Sequence, residues 1–242
     1  MVKKATLFVT VLVLALLVAI PASSDPHPLR GHTIAIDPGH GGTDLGSTAC
    51  MEQLVGENWD PEAAEIYLEK HVNLDIASRL QKLLVDSGAD VHMTRTEDET
   101  LSSHERGDSV NDSGAEVLVN LHLNGWEDPH MDGLYVLFGQ SRKDKAFAQA
   151  MHDSMWNDAA LTSTPDEFID FGIRQFAAGV LLWSEIPSAL LESAFISNAW
   201  ECQQLSNGTG KRQDEIAQAI YEGLVAWYSD PPPSLPGKHK SD

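Results

Sequence analysis

The chain is short of positive charge: 16 lysines and arginines stand against 36 aspartates and glutamates, a formal net charge of -20 over 242 residues. A surface this acidic repels nucleic acid and anionic membrane faces, which argues against both as partners. Cysteine is scarce, with Cys50 and Cys202 the two in the chain. They allow a single disulfide or two buried thiols. Internal repeats are absent, and no apolar run of membrane-spanning length follows residue 20, so the body is expected to be soluble and not inserted in a membrane.

What is present begins with a leader. Met1-Val2-Lys3-Lys4, an apolar stretch from Ala5 to Ile20 and then Pro21-Ala22-Ser23-Ser24 give the basic start, apolar middle and small-residue end of a secretory signal. An uncleaved anchor is the alternative, and export follows either way. Loss of residues 1–24 removes Lys3, Lys4 and no acid, moving the formal charge from -20 to -22. Export places the cysteines in an oxidising compartment, either the periplasm or the outer cell surface. The whole chain is 42% hydrophobic, and the remainder reads as a leader over 25–31, one domain over 32–229, and a flexible proline-rich tail over 230–242.

Along the body, Thr33-Ile34-Ala35-Ile36-Asp37 reads as a buried strand that breaks at Pro38-Gly39 and delivers His40 into a glycine-rich loop. Residues 43–60 show no periodicity and read as a long exposed loop. From Pro61 a helical pattern starts, and Leu68, Val72, Ile76, Leu80 and Leu83 form its apolar stripe, with Glu69 along one edge. That helix ends at Ser87-Gly88. A strand over 89–94, a short helix over 104–110 and a mostly apolar strand over 115–122, ending on His122, follow. Further strands are read at 133–138 and 187–193, and helices at about 143–159 and at 214–228. The segment 171–183 fits a helix or an entry into a strand. Alternating strands and helices predict an α/β domain of three layers, with a twisted, mostly parallel central sheet flanked by helices.

Functional groups in such a sheet collect at the carboxyl ends of strands. His40 and His122 both follow strands, and Glu69 lies early in the helix between them. Two imidazoles and a carboxylate suffice for a catalytic zinc with its fourth position left to water, although His71 or His104 could substitute on composition. A fourth group, Glu192, interrupts the apolar Pro187-Ser188-Ala189-Leu190-Leu191 run. A buried carboxylate needs a partner or a use. Either Arg174 pairs with it, or it moves a proton at the metal site.

These residues resemble the zinc-dependent N-acetylmuramoyl-L-alanine amidases of the type-3 class, which cut peptidoglycan. Ile36-Asp37-Pro38-Gly39-His40-Gly41-Gly42 is similar to the family's first metal motif, Glu69-Lys70-His71-Val72-Asn73-Leu74 to its second, and Asn120-Leu121-His122-Leu123-Asn124 to its third. Pro187 to Asn198 is similar to the motif holding the catalytic carboxylate. Thr94-Arg95 and Arg106 fall where the family carries a Thr-Arg pair and a later arginine. The resemblance spans about residues 32 to 228, in order.

The resemblance implies one Zn2+ held by His40, Glu69 and His122, with Glu192 as general base and then acid, acting on the amide between N-acetylmuramic acid and L-alanine. Asn124 and Arg174 are read as substrate contacts, and a monomer is expected. The departures are Leu123 in place of a small residue, which could narrow the groove, Ser193-Ala194 in place of a glycine-containing pair, and a longer loop after His40. No large insertion between Gly133 and Glu192 supplies an autoinhibitory helix, and no wall-binding repeat is present. Cys50 follows the His40 loop and Cys202 follows the Glu192 segment, so a bond between them would pin that loop to the helix after the catalytic strand. Another exported zinc amide hydrolase and an inactive wall-binding protein are the competing readings.

Overall fold

The computed structural model describes residues 27–55, 67–176 and 179–230. The predicted signal segment, the helix start at Pro61 and all but the first residue of the tail therefore lie outside the described residues. The elements run β1 (Thr33–Pro38), α1 (Ala49–Val55), α2 (Glu69–Asp86), β2 (Asp90–Met93), α3 (Ser103–Asp112), β3 (Val117–Asn124), β4 (Asp132–Phe138), α4 (Lys145–Trp156), α5 (Ala159–Thr162), β5 (Phe168–Gln175), a 3-10 turn (Gly179–Leu182), β6 (Ser188–Phe195), α6 (Ala199–Ser206) and α7 (Lys211–Ser229).

The six strands form one sheet in the order β2-β1-β3-β6-β4-β5. All pairs are parallel except β4 with β6. The connection over residues 125–131 is too short for the crossover that parallel strands require, so the chain turns back after β3 and β4 runs the other way.

Period-two alternation assigns the faces of the sheet. Val117, Val119, Leu121 and Leu123 of β3 join the main core, packed with residues of α2, α4 and α7. Leu118 faces the opposite side and meets Ala35, Val110, Val180 and Ile186 under α3 and the 3-10 turn. His122 shares the face of Leu118, away from the main core.

Several local expectations change. Leu84, not Leu83, closes the buried stripe of α2, because Val72, Ile76, Leu80 and Leu84 continue at steps of four. The stretch read as exposed loop contains α1, which buries Cys50 to 1% exposure. The ambiguous 171–183 stretch divides between β5 and the 3-10 turn. Leu29, in the segment taken as a leader, is fully buried in the core. The helix α3 opens on a capping box in which the Ser102 hydroxyl accepts from the Glu105 N–H and the Glu105 carboxylate accepts from the Ser102 N–H.

Candidate metal centre

His40 follows β1, Glu69 opens α2 and His122 lies near the end of β3. His40 Nε2 and His122 Nδ1 each stand 3.1 Å from Glu69 Oε1, with the ring planes 82° apart. One ligand atom from each residue lies within 4.8 Å of the others, so the group could hold a metal ion. His71 and His104 take no part. His71 faces Asp98 at 3.6 Å, and His104 pairs with Asp108 and meets the Trp183 ring.

The backbone at His40 costs free energy. His40 has φ +61°, alone among the described non-glycine residues in the left-handed region, a conformation worth on the order of 1–3 kcal/mol of strain. Two buried arginines hold it. Arg106 donates to the carbonyls of His40 (2.6 Å) and Pro38 (2.8 Å) and to the Asp37 carboxylate (2.6 Å). Arg95 donates to the carbonyls of Pro38 (2.9 Å), Gly39 (2.9 Å) and Lys70 (2.8 Å). Gly39 is required on space alone, since a Cβ there would lie 2.3 Å from the His122 ring.

Glu69 is fixed from several sides. Its Oε2 accepts from the Ser47 N–H (2.8 Å), and its Oε1 accepts from the Leu123 N–H (3.1 Å) and the Asn73 amide (3.3 Å). Lys70, the next residue, bonds Asp98 (2.7 Å) and the Gly42 carbonyl (2.8 Å), while Asp98 accepts from the Gly42 N–H (2.7 Å). The loop after His40 is thus clamped to α2 on both sides of the ligand pair.

Electrostatics follow this geometry. Burial disfavours the imidazolium of His40, but the Glu69 carboxylate outweighs it and, with Asp44, lifts the ring to about 9. His122 is raised in the same contest. Glu69 resists its own desolvation because two imidazoles hold it well below the usual carboxylate range.

Glu192 sits on β6 between His122 of β3 and Tyr135 of β4 in the ladder register. Its Oε2 is buried and has no hydrogen-bond partner among the described residues. Burial pushes the carboxyl up to about 7, with His122 pulling it down and Glu69 pushing it up. The alternative pairing with Arg174 is not made. Arg174 lies on β5, beyond β4, and stacks over the Tyr135 ring at 5.5 Å. Leu123 is 2% exposed and points into the main core, so it does not narrow the groove, and the site face opens as a cavity of about 350 Å3. Asn124 ends β3, and its amide oxygen accepts from the Gly125 N–H.

Cys50 of α1 and Cys202 of α6 are joined by a disulfide. The clamp of Lys70 on Asp98, the Ser47 and Asn73 contacts and the place of Tyr135 beside Glu192 were not read from the sequence. Asp37 carried a signal, as an acid in an apolar strand. It is 1% exposed and bonds Arg106, Thr94 and Asn120.

A mostly parallel α/β sheet whose strand and helix ends gather two imidazoles and a carboxylate that could hold a metal ion, beside a second carboxylate with one buried oxygen unpartnered, fits the class of α/β hydrolases. Within that class the chain belongs to the N-acetylmuramoyl-L-alanine amidase family, whose sequence profile matches residues 34–226. It is 32% identical over 205 residues to N-acetylmuramoyl-L-alanine amidase LytC of Bacillus subtilis, covering 84% of this chain and 36% of that protein. It is also 32% identical over 212 residues to the probable cell wall amidase LytH of Staphylococcus epidermidis, covering 87% of this chain and 64% of LytH. The chain thus spans about a third of the first relative and just under two thirds of the second. The fold is similar to the catalytic domain of CwlV, an N-acetylmuramoyl-L-alanine amidase from Bacillus (Paenibacillus) polymyxa, with TM-score 0.66, 27% identity and coverage of 82% of this chain and 98% of that one.

Proposed function

We propose that this chain is an exported, zinc-dependent N-acetylmuramoyl-L-alanine amidase that hydrolyses the amide joining the lactyl group of N-acetylmuramic acid to L-alanine of the stem peptide. The observation that carries the reading is the convergence of His40, Glu69 and His122 beside Glu192. The donor set fits a zinc ion: two ring nitrogens already turn toward one carboxylate oxygen, and the nearby Glu192 Oε2 has no hydrogen-bond partner. When bound there, zinc supplies Lewis-acid polarisation of the scissile carbonyl and a water of lowered pKa.

The remaining work falls to the chain itself. Glu192 takes the proton of the attacking water on its carboxylate and returns it to the amine nitrogen as the C–N bond breaks, a task suited to a carboxyl whose proton affinity burial raises. Arg95 and Arg106 hold the backbone of Pro38-Gly39-His40, and Gly39 lets the His122 ring approach. Asn124 and Arg174 contact substrate.

Residues 1–24 act as a signal peptide, 32–229 form the catalytic unit and 230–242 a tail, and the mature protein works as a monomer in the periplasm or at the outer surface. The disulfide and the likeness to the probable cell wall amidase LytH support export. Among the described residues no helix is long and apolar enough to cross a membrane.

The test uses zinc-loaded protein and purified sacculi. Wild type should release new L-alanine amino termini and no reducing sugars, and chelation should stop it. Glu192→Ala should retain zinc and lose at least about a thousandfold in rate. Release of stem peptides by that variant at the wild-type rate would remove Glu192 from the mechanism.

A further inference from the structure

The face of the sheet that carries Glu192 continues past it. Directly paired residues of a ladder project to the same side, and the register reads His122 to Glu192, Glu192 to Tyr135, and Leu137 to Arg174. A row of side chains therefore leads from the metal cluster across β6 and β4 to β5. Beside this row Asn124 at the end of β3, with Trp126, Tyr135, Phe171, Arg174 and Phe195, lines a second cavity of about 390 Å3 that reaches β5. The Phe171 ring centre lies 6.0 Å from that of Tyr135 and 5.5 Å from that of Phe195, both tilted, giving an apolar floor. Trp126 is 60% exposed at the rim.

Arg174 stands over this floor. Among the described residues no ion pair of Arg174 is found, although acids outnumber bases by 36 to 16 in the chain. Its guanidinium lies 5.5 Å over the Tyr135 ring, and the side chain lines the cavity. Asn124 spends its amide oxygen on the Gly125 N–H, so its NH2 group is the part left to face a ligand. Two donor groups above an aromatic floor suit a carboxylate carried on a short apolar backbone.

Resting on the amidase reading above, the geometry points to this cavity as the subsite for a carboxylate on the peptide side of the scissile amide, with Arg174 as the specificity-determining residue. The direction follows from the chemistry of the substrate. The lactyl carboxyl is consumed in the amide that is cut, so it offers no anion on the glycan side, and the free carboxylates belong to the peptide. The reach also fits. Adjacent strands lie about 4.8 Å apart, so β5 is about 10 Å from β6. Two peptide residues span about 7 Å, and the arginine side chain covers the rest. The peptide thus leaves Glu192 across Tyr135, and its second residue meets Arg174.

Two measurements on zinc-loaded protein test this. In the first, an alanyl-glutamate dipeptide with both carboxylates of its second residue free, and the same dipeptide with both as primary amides, are titrated calorimetrically. Wild type should bind the acid at least about tenfold more tightly than the amide. Arg174→Gln should lose that preference while keeping its affinity for the amide, and Arg174→Lys should restore part of it. Equal binding of acid and amide by wild type, or equal losses for both ligands in Arg174→Gln, would overturn the subsite. In the second, the corresponding muramoyl dipeptides are hydrolysed, and the acid should show the lower KM at similar kcat. Selective binding without hydrolysis of either would overturn the amidase reading and leave the subsite standing. Hydrolysis of both without preference would do the reverse.

Discussion

His40 combines three tasks in one residue: it turns the chain at φ +61°, offers a ring nitrogen to the cluster and presents its carbonyl to Arg106. Its ring is also where proton balance should be visible. A metal ligand must be deprotonated, and in the metal-free protein the Glu69 carboxylate overcomes burial to hold His40 up at about 9. At neutral pH the ring therefore carries a proton that zinc must displace. The sign is fixed: zinc affinity should rise by about tenfold per pH unit for that proton between pH 6 and 9, and level off above it. Calorimetry in buffers of different ionisation enthalpy should count at least one proton released at pH 7. A pH-independent affinity would mean that the imidazole is already neutral. Much of this was legible at the level of residue types, since His40 follows a strand, His122 lies near the end of one, Glu69 opens a helix and Glu192 interrupts an apolar strand. The choice of Glu69 over His71 came from the family resemblance alone. Helical phase explains why: residues two apart point about 200° apart, and only packing decides which one looks at His122.

At the level of elements, α1 determines what the stretch after His40 does. It carries Cys50, bonded to Cys202 of α6, and follows the Ser47 N–H that bonds Glu69 Oε2. The covalent tie therefore steadies the backbone that steadies a ligand. Replacing both cysteines by serine should cost roughly 2–5 kcal/mol in denaturant unfolding. It should also weaken zinc binding several-fold, because Ser47 is freed to drift from the carboxylate. Unchanged zinc affinity in a less stable variant would confine the disulfide to the unfolded state. Neither α1 nor the fate of 171–183 was legible. The first is a short helix held by a contact 152 residues away in sequence, and the second changes from strand to 3-10 turn within a few residues of similar apolarity. The long elements were legible because Val72, Ile76 and Leu80, or Val117, Val119 and Leu121, repeat with their own period.

For the molecule as a whole, the formal charge of -20 sets a repulsion that no local contact removes. Raising sodium chloride from about 0.05 to about 0.5 M shortens the screening length to a few ångströms, so the Tm of the metal-free protein should rise by several degrees. A falling Tm would show that its ion pairs, such as Arg79 with Asp214, outweigh the repulsion. The three-layer architecture was readable from alternation, whereas the reversed direction of β4 was not, since it depends on a connection too short to cross over. The sheet order has a last consequence, for time rather than space. β6 occupies the slot between β3 and β4, yet it comes from the final quarter of the chain. A chain emerging from its N-terminus thus exposes His40, Glu69 and His122 long before Glu192 arrives, and β3 and β4 wait with their hydrogen-bonding edges open. Synthesis itself imposes a delay: the scissors are assembled blade by blade, and the pivot goes in at the end.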